Sequence, residues 1–140
     1  MTMKKTVRFA VSLDHHLLDD LDRVLVQKKY ETRSEAIRDL IRDHLVAEEW
    51  DKKKEAVGTI TIVYDHHMHD LTEKLTSIQH DFHKLILSTM HVHLDHDHCI
   101  EVLVVKGKGR EVRTVADSLI STKGVKHGKL TMTTTGKELA

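Results

Sequence analysis

One cysteine and no proline stand in the 140 residues, and acidic and basic side chains cancel, 22 against 22. A lone cysteine excludes an internal disulfide and makes a reducing cytosol the natural setting. No apolar run approaches the roughly 20 residues that cross a bilayer. The polar N-terminus lacks the hydrophobic core of a signal peptide. A cytoplasmic protein with no membrane partner is the expectation. Zero formal charge removes any global electrostatic hint of a nucleic-acid partner, so such a case must rest on local placement. The balance of 39% hydrophobic and 31% charged residues fits a soluble globular chain, long enough for one ordinary domain or two small ones. Histidine is the excess: there are 13, most of them between His66 and His98.

Chemistry concentrates in the run MHVHLDHDHCIE. Side chains alternate along an extended strand, so His91 and His93 lie on one side within reach of a common point. Cys99 follows a short polar stretch. Two neutral nitrogens and a soft thiolate suit a borderline transition metal and not calcium or magnesium.

Residues 1–49 read as strand, helix, turn, helix. Val7, Phe9, Val11 and Leu13 alternate with Arg8, Ala10 and Ser12, the pattern of a half-buried strand. Asp14 is placed to cap a helix striped by Leu17, Leu18, Leu21, Val24 and Leu25. Ser34 is placed to cap a second, with Glu35 in its first turn and Ile37, Leu40, Ile41 and Leu45 as its stripe. Such a unit cannot stand alone: a single strand leaves both edges unpaired, and two helices enclose little core. An intertwined dimer, with the two strands paired as an antiparallel ribbon, is the economical solution. Arg8, Ala10 and Ser12 would then be doubled on its outer face, and a two-stranded ribbon fits the DNA major groove. Arg33 and Ser34, at the start of the second helix, would offer positive charge and free amides to a phosphate.

Residues 50–56 are charged and read as a linker with a mostly solvated surface. From Gly58 onward the periods switch between two and 3.6. A strand over TITIVYDH, a helix over 70–85, strands over LILSTMHVHLD and CIEVLVVKG, a helix over 112–122 and a strand over VKHGKLTMTT give the order βαββαβ. That is an α+β, ferredoxin-like plan: a four-stranded antiparallel sheet with both helices on one face. Parity puts Ile86, Met90, Val92 and Leu94 toward the helices. His91, His93, Cys99 and Glu101 would then face the bare side, beside Leu103 and Val105. At about 100° per residue, His80 points away from its own sheet. If it joins the same metal it must come from a neighbouring subunit, and His83 competes for the role.

The stretches RFAVSLDHHLLDDLD and YETRSEAIRDLIR resemble a ribbon-helix-helix DNA-binding domain. Two departures from that family matter. Ala10 replaces a commonly polar residue on the outer face, which weakens base preference there. Lys29 stands where relatives often carry glycine, at a turn position that calls for positive φ. With the second half, where QHDFHKL, HVHLDHDHCIE and GVKHGKL occur, the chain is similar to the nickel-responsive regulators of the NikR family. The resemblance implies a ribbon-helix-helix domain over 1–49 and an ACT-like domain over 57–140 that binds nickel and forms a tetramer. It implies one nickel(II) per subunit, held in a square plane by His91, His93 and Cys99 of one chain and His80 of another. Nickel or copper suits three nitrogens and one sulfur in a plane; tetrahedral zinc is the rival. Tyr64, His66 and Glu101 would stand behind the ligands. The resemblance also implies potassium at Glu35 and Asp39, a homotetramer built as a dimer of dimers, and a palindromic operator whose nickel-uptake genes are repressed when nickel is bound.

His67 and His69 read as solvated residues able to hold excess metal, and His96 and His98 as surface residues of a polar turn. An enzyme would need an open coordination position and a general acid or base. Only Glu101 lies near enough, so no catalytic residue is expected. A metal storage or delivery protein would leave the N-terminal ribbon unexplained. A metal-independent ribbon-helix-helix repressor, such as an antitoxin, would leave the histidine-rich half unexplained.

Overall fold

The computed structural model describes residues 5–51, 54–137 and 139. The chain divides into two compact units, one reaching as far as Leu45 and the other spanning Val46–Lys137.

In the first unit residues 5–14 carry no ladder pairing and lead into α1 (His15–Lys28). Asp14 caps α1 as expected, its carboxylate accepting the His16 N–H at 2.9 Å. Lys29 closes the helix at φ 59°, the left-handed conformation anticipated at this turn. That bend lets the Tyr30 N–H reach the Leu25 carbonyl at 2.9 Å, satisfying an end-of-helix acceptor. α2 (Arg33–Asp51) follows. Its cap is Thr32 and not Ser34: Thr32 Oγ1 accepts the Glu35 N–H at 3.2 Å, and Glu35 reaches back to accept the Glu31 N–H at 2.9 Å. The T-x-x-E spacing makes a reciprocal cap, which moves the boundary two residues upstream of the expectation.

This unit buries little. α1 has no buried residue, and Val7 and Phe9 are 77% and 72% exposed. The apolar side chains of residues 7–13 instead line an open cleft with Leu18, Leu21, Ile37 and Ile41.

The second unit holds β1 (Glu55–Asp65), α3 (Leu71–Asp81), β2 (Ile86–His93), β3 (His98–Lys108), α4 (Gly109–Ile120) and β4 (Val125–Thr133). The sheet is antiparallel in the order β2-β3-β1-β4, the ferredoxin-like arrangement. Along β1 the even residues from Ala56 to Tyr64 are buried and the odd ones are not. Ile60, Ile62, Leu103 and Val105 pack against Leu71 and Leu75 of α3 and Val112, Val115, Ala116 and Leu119 of α4. Both helices therefore cover one face. α3 stops four residues short of the expected end. The chain then turns, with the Leu85 N–H on the Phe82 carbonyl at 2.9 Å, while Phe82 and Leu85 still pack on the core.

The segment read as a solvated linker is partly core. Trp50 is buried, its indole N–H donates to the Thr133 carbonyl at 2.8 Å, and the Arg113 guanidinium lies 5.9 Å from its ring centre. Gly58 and Gly109 make the room: a Cβ on either would stand 3.2 Å or less from Trp50 atoms.

The assignment of faces at the metal ligands is also corrected. Ile86 pairs with Val105 on the helix-bearing side, yet Met90 and Val92 pair with Val102 and Ile100 on the other. An irregularity between Ile86 and Ser88 adds a residue and flips the parity of everything after it. His91 and His93 therefore sit opposite Glu101 and Cys99 on the same side as the helices, and Met90 lies 58% exposed on the open side. Cys99, Glu101, Leu103 and Val105 are buried, not presented on a bare sheet.

Candidate metal centre

Strand pairing assembles the centre. Cys99 lies between Tyr64 of β1 and His93 of β2 in register, so three neighbouring strands bring their side chains to one end of the helix-bearing face. The Cys99 Sγ is buried, 3.3 Å from Nδ1 of His93 and 3.2 Å from Nδ1 of His66. Metal–nitrogen and metal–sulfur bonds of about 2.0 and 2.3 Å separate adjacent ligand atoms by roughly 3.0–3.5 Å, so this trio fits a shared ion. The His91 ring lies 5.3 Å from that of His93 and 6.0 Å from that of Tyr64. His91 and His93 are exposed, which leaves the centre open on the side away from the thiol.

Behind the thiol is a buried polar network. The Glu101 carboxylate accepts the Tyr64 hydroxyl at 3.2 Å and the Gln79 amide at 2.9 Å. Burial, then the Glu101 charge, pushes the Tyr64 hydroxyl upward, so it remains a donor. Burial pushes the Cys99 thiol up as well, with Glu101, Asp65 and Asp95 adding to the effect. Burial holds His66 below its ordinary value and keeps it neutral, the form that ligates. A cation at the thiol would offset the charge of Glu101 and favour thiolate. Tyr64 and Glu101 lie opposite Cys99 and His91 in the strand register and are hydrogen-bonded to each other. His66 comes nearer than expected, to ligand distance. His66 lies in the turn just past β1, and the register that pairs Tyr64 with Cys99 carries it to the thiol.

His80 is exposed on α3, with its ring 5.9 Å from His83, whose Nδ1 lies 3.0 Å from the His80 carbonyl. It does not join the Cys99 cluster of its own chain. Gln79, its neighbour, is the α3 residue that reaches Glu101.

In the first unit Arg8, Ala10 and Ser12 are exposed. Arg33 is held by Asp22 in a two-pronged pair at 2.9 Å for each bond, and Ser34 is exposed in the first turn of α2. Glu35 serves the helix cap, while Asp39 accepts the Tyr30 hydroxyl and pairs with Arg42 at 3.5 Å. Glu35 and Asp39 enter no cluster of ligand atoms among the described residues.

Fold and donor set define a transition-metal-binding protein on a ferredoxin-like scaffold, joined to a helical unit. Residues 57–133 match the family model described as the NikR C terminal nickel binding domain. The chain is 59% identical over 138 residues to a protein of Nitratidesulfovibrio vulgaris (strain DP4), covering 98% of this chain and 99% of that one. It is 62% identical over 133 residues to one of Solibacter usitatus (strain Ellin6076), covering 94% and 96%. Both carry the name "Putative nickel-responsive regulator". Among solved structures, an uncharacterized protein from Thermotoga maritima superposes with a TM-score of 0.51 at 19% identity, over 56% of this chain and 98% of that one. That likeness concerns the fold alone. The chain belongs to the NikR family of nickel-responsive regulators.

Proposed function

We propose that this chain is a nickel-responsive, DNA-binding transcriptional regulator that represses nickel-uptake genes when nickel(II) is bound. The observation carrying the proposal is the buried Cys99 thiol with imidazole nitrogens at 3.2 and 3.3 Å, in a chain alignable end to end with proteins of that name. His91, His93 and Cys99 would hold the ion from one chain and His80 from another, one nickel per subunit. The exposure of His80 and its distance from its own chain's cluster support that division. Tyr64 and Gln79 would hold the Glu101 carboxylate beside the centre, and His66 stands ready as an alternative nitrogen.

Assembly follows from what each unit leaves uncovered. Residues 5–14, unpaired and apolar on alternate positions, suit a ribbon formed with a second copy, which would cover Phe9 and Val11 and present Arg8, Ala10 and Ser12 to the major groove. Ser34, at the start of α2, suits a phosphate contact, and the Arg33–Asp22 pair braces that helix start. The second unit has an open sheet face with Met90 and Val92 beside half-buried Val102 and Val104, which suits pairing into a tetramer built as a dimer of dimers. A two-fold protein calls for a palindromic operator. Nickel strengthens DNA binding only as far as it prefers the DNA-competent state, and DNA then raises nickel affinity by the same factor.

Selection from a random-sequence duplex library tests this. With nickel the wild-type chain should enrich sites of two-fold symmetry, whereas Cys99→Ser should enrich none. Equal enrichment with and without nickel would refute the proposal.

A further inference from the structure

A second group of ligand atoms lies outside the Cys99 cluster. Asp97 Oδ1 stands 3.2 Å from Nδ1 of His96 and 3.5 Å from Nε2 of His67. Bonds of about 2.0–2.2 Å set ligand atoms roughly 2.8–3.1 Å apart at right angles and roughly 3.3–3.6 Å apart at the tetrahedral angle, a span that takes in both separations. All three side chains are exposed. Two imidazoles and one carboxylate carry the same formal charge as two imidazoles and one thiolate but are harder donors, so a borderline ion would be held more weakly and exchange faster.

The backbone fixes the group in place. Asp95 Oδ1 accepts the N–H groups of Asp97 and His98 at 2.9 and 2.8 Å, which shapes the turn between β2 and β3. The His66 N–H donates to the Asp97 carbonyl at 3.1 Å, tying that turn to the segment after β1. The His67 N–H in turn donates to Asp65 Oδ1 at 2.8 Å. The ligand-bearing segments are therefore bound to each other before any ion arrives.

The outer group also leads inward. The His96 ring is 5.4 Å from that of His67, the His67 ring is 4.0 Å from that of His66, and His66 Nδ1 is 3.2 Å from the Cys99 thiol. An unbroken file of imidazoles runs from the exposed turn to the buried sulfur. We propose that His67, His96 and Asp97 form a second transition-metal site that captures the ion at the surface and passes it through His66 to the Cys99 centre. The delivery half rests on the function proposed above; the existence of the outer site does not.

The test uses the full chain and nickel(II) alone, comparing wild type with the double variant His67→Ala/His96→Ala. Both positions are exposed, so folding should survive, and circular dichroism checks it. Equilibrium dialysis should show wild type saturating at one more nickel per chain than the variant. At saturation the thiolate-to-nickel absorption band should be equal in the two. At substoichiometric nickel that band should appear several-fold more slowly in the variant. Equal stoichiometry would overturn the outer site, and loss of the band in the variant would place these residues in the inner centre instead. Equal rates with unequal stoichiometry would overturn delivery. Absence of the band from wild type itself would sink the Cys99 centre, leaving the outer site to be judged on stoichiometry.

Discussion

The two units of this chain solve the problem of burial in opposite ways. From Val46 onward the fold encloses its own apolar face: Ile60, Leu75, Leu103, Val115 and Leu119 are all at or near zero exposure. Before Leu45 the apolar positions are just as regular in sequence, yet Val7, Phe9, Leu17 and Val26 remain more than half exposed, and α1 buries none of its residues. Periodicity alone does not distinguish them. What differs is the number of elements available to close over each other: four strands and two helices in one case, two helices and an unpaired segment in the other. Regular apolar spacing that stays exposed in a single chain marks an interaction surface, and the proposed ribbon would cover it with a second copy.

The sharpest way to break this comparison is to truncate one residue in each unit. Leu119→Ala should cost about 2–5 kcal/mol whatever the protein concentration, because the cavity opens inside one chain. Phe9→Ala should cost about 3 kcal/mol or more if a paired ribbon buries the ring, but within about 0.5 kcal/mol if it stays exposed. Denaturant melts of each variant over a hundredfold range of concentration decide the matter. A Phe9→Ala melt unchanged from wild type at every concentration would mean that the ribbon does not form.

At the metal centre the raised Cys99 thiol makes a prediction with a definite sign. A thiol pushed above its ordinary value is protonated at neutral pH, so nickel uptake must expel that proton. Nickel affinity should therefore fall as pH is lowered, by about tenfold per pH unit from the thiol alone. Calorimetry in buffers of different ionisation enthalpy counts the protons. A count of zero at neutral pH would mean that the sulfur does not bind as thiolate.

The smallest effect concerns Lys29, held at φ 59°. Lys29→Gly relieves a left-handed penalty of roughly 1 kcal/mol and gives back part of it through the greater freedom of the unfolded chain. A net gain below about 1 kcal/mol is expected, read as a modest rise in the melting midpoint of the first unit. A loss of stability would mean that the lysine side chain contributes something its exposure conceals.

The fold of the second unit was legible because period-two and period-3.6 stretches alternate clearly and the apolar stripes of β1, α3 and α4 found the core, whereas Met90, Val92 and Leu94 of the β2 stretch lie exposed. Asp14 and Lys29 were legible for local reasons, since a cap and a left-handed turn depend on few neighbours. Two features were not. Trp50 sits in a charged run, and its pocket is made by Gly58 and Gly109, whose meeting is a tertiary fact. The irregularity after Ile86 leaves no residue signature in ILSTMHVH, and that single extra residue was enough to place four site residues on the wrong face. His93 and Cys99 still meet because both moved together, relative parity being sturdier than absolute parity, while His91 stands outside the group of ligand atoms formed by His66, His93 and Cys99. The closeness of His66 depended on the β1–β3 register, which spacing alone does not give.

The central claim is that one chain supplies an incomplete metal centre and a second chain finishes it. Subunit mixing tests this directly. His80→Ala and Cys99→Ser proteins, each alone, should show a weakened or absent thiolate–nickel band. Unfolded together and refolded as mixed oligomers, they should regain a substantial fraction of the wild-type band, because the Cys99 of one variant meets the intact His80 of the other. A mixture that shows no more than the average of its two parents would contradict the account.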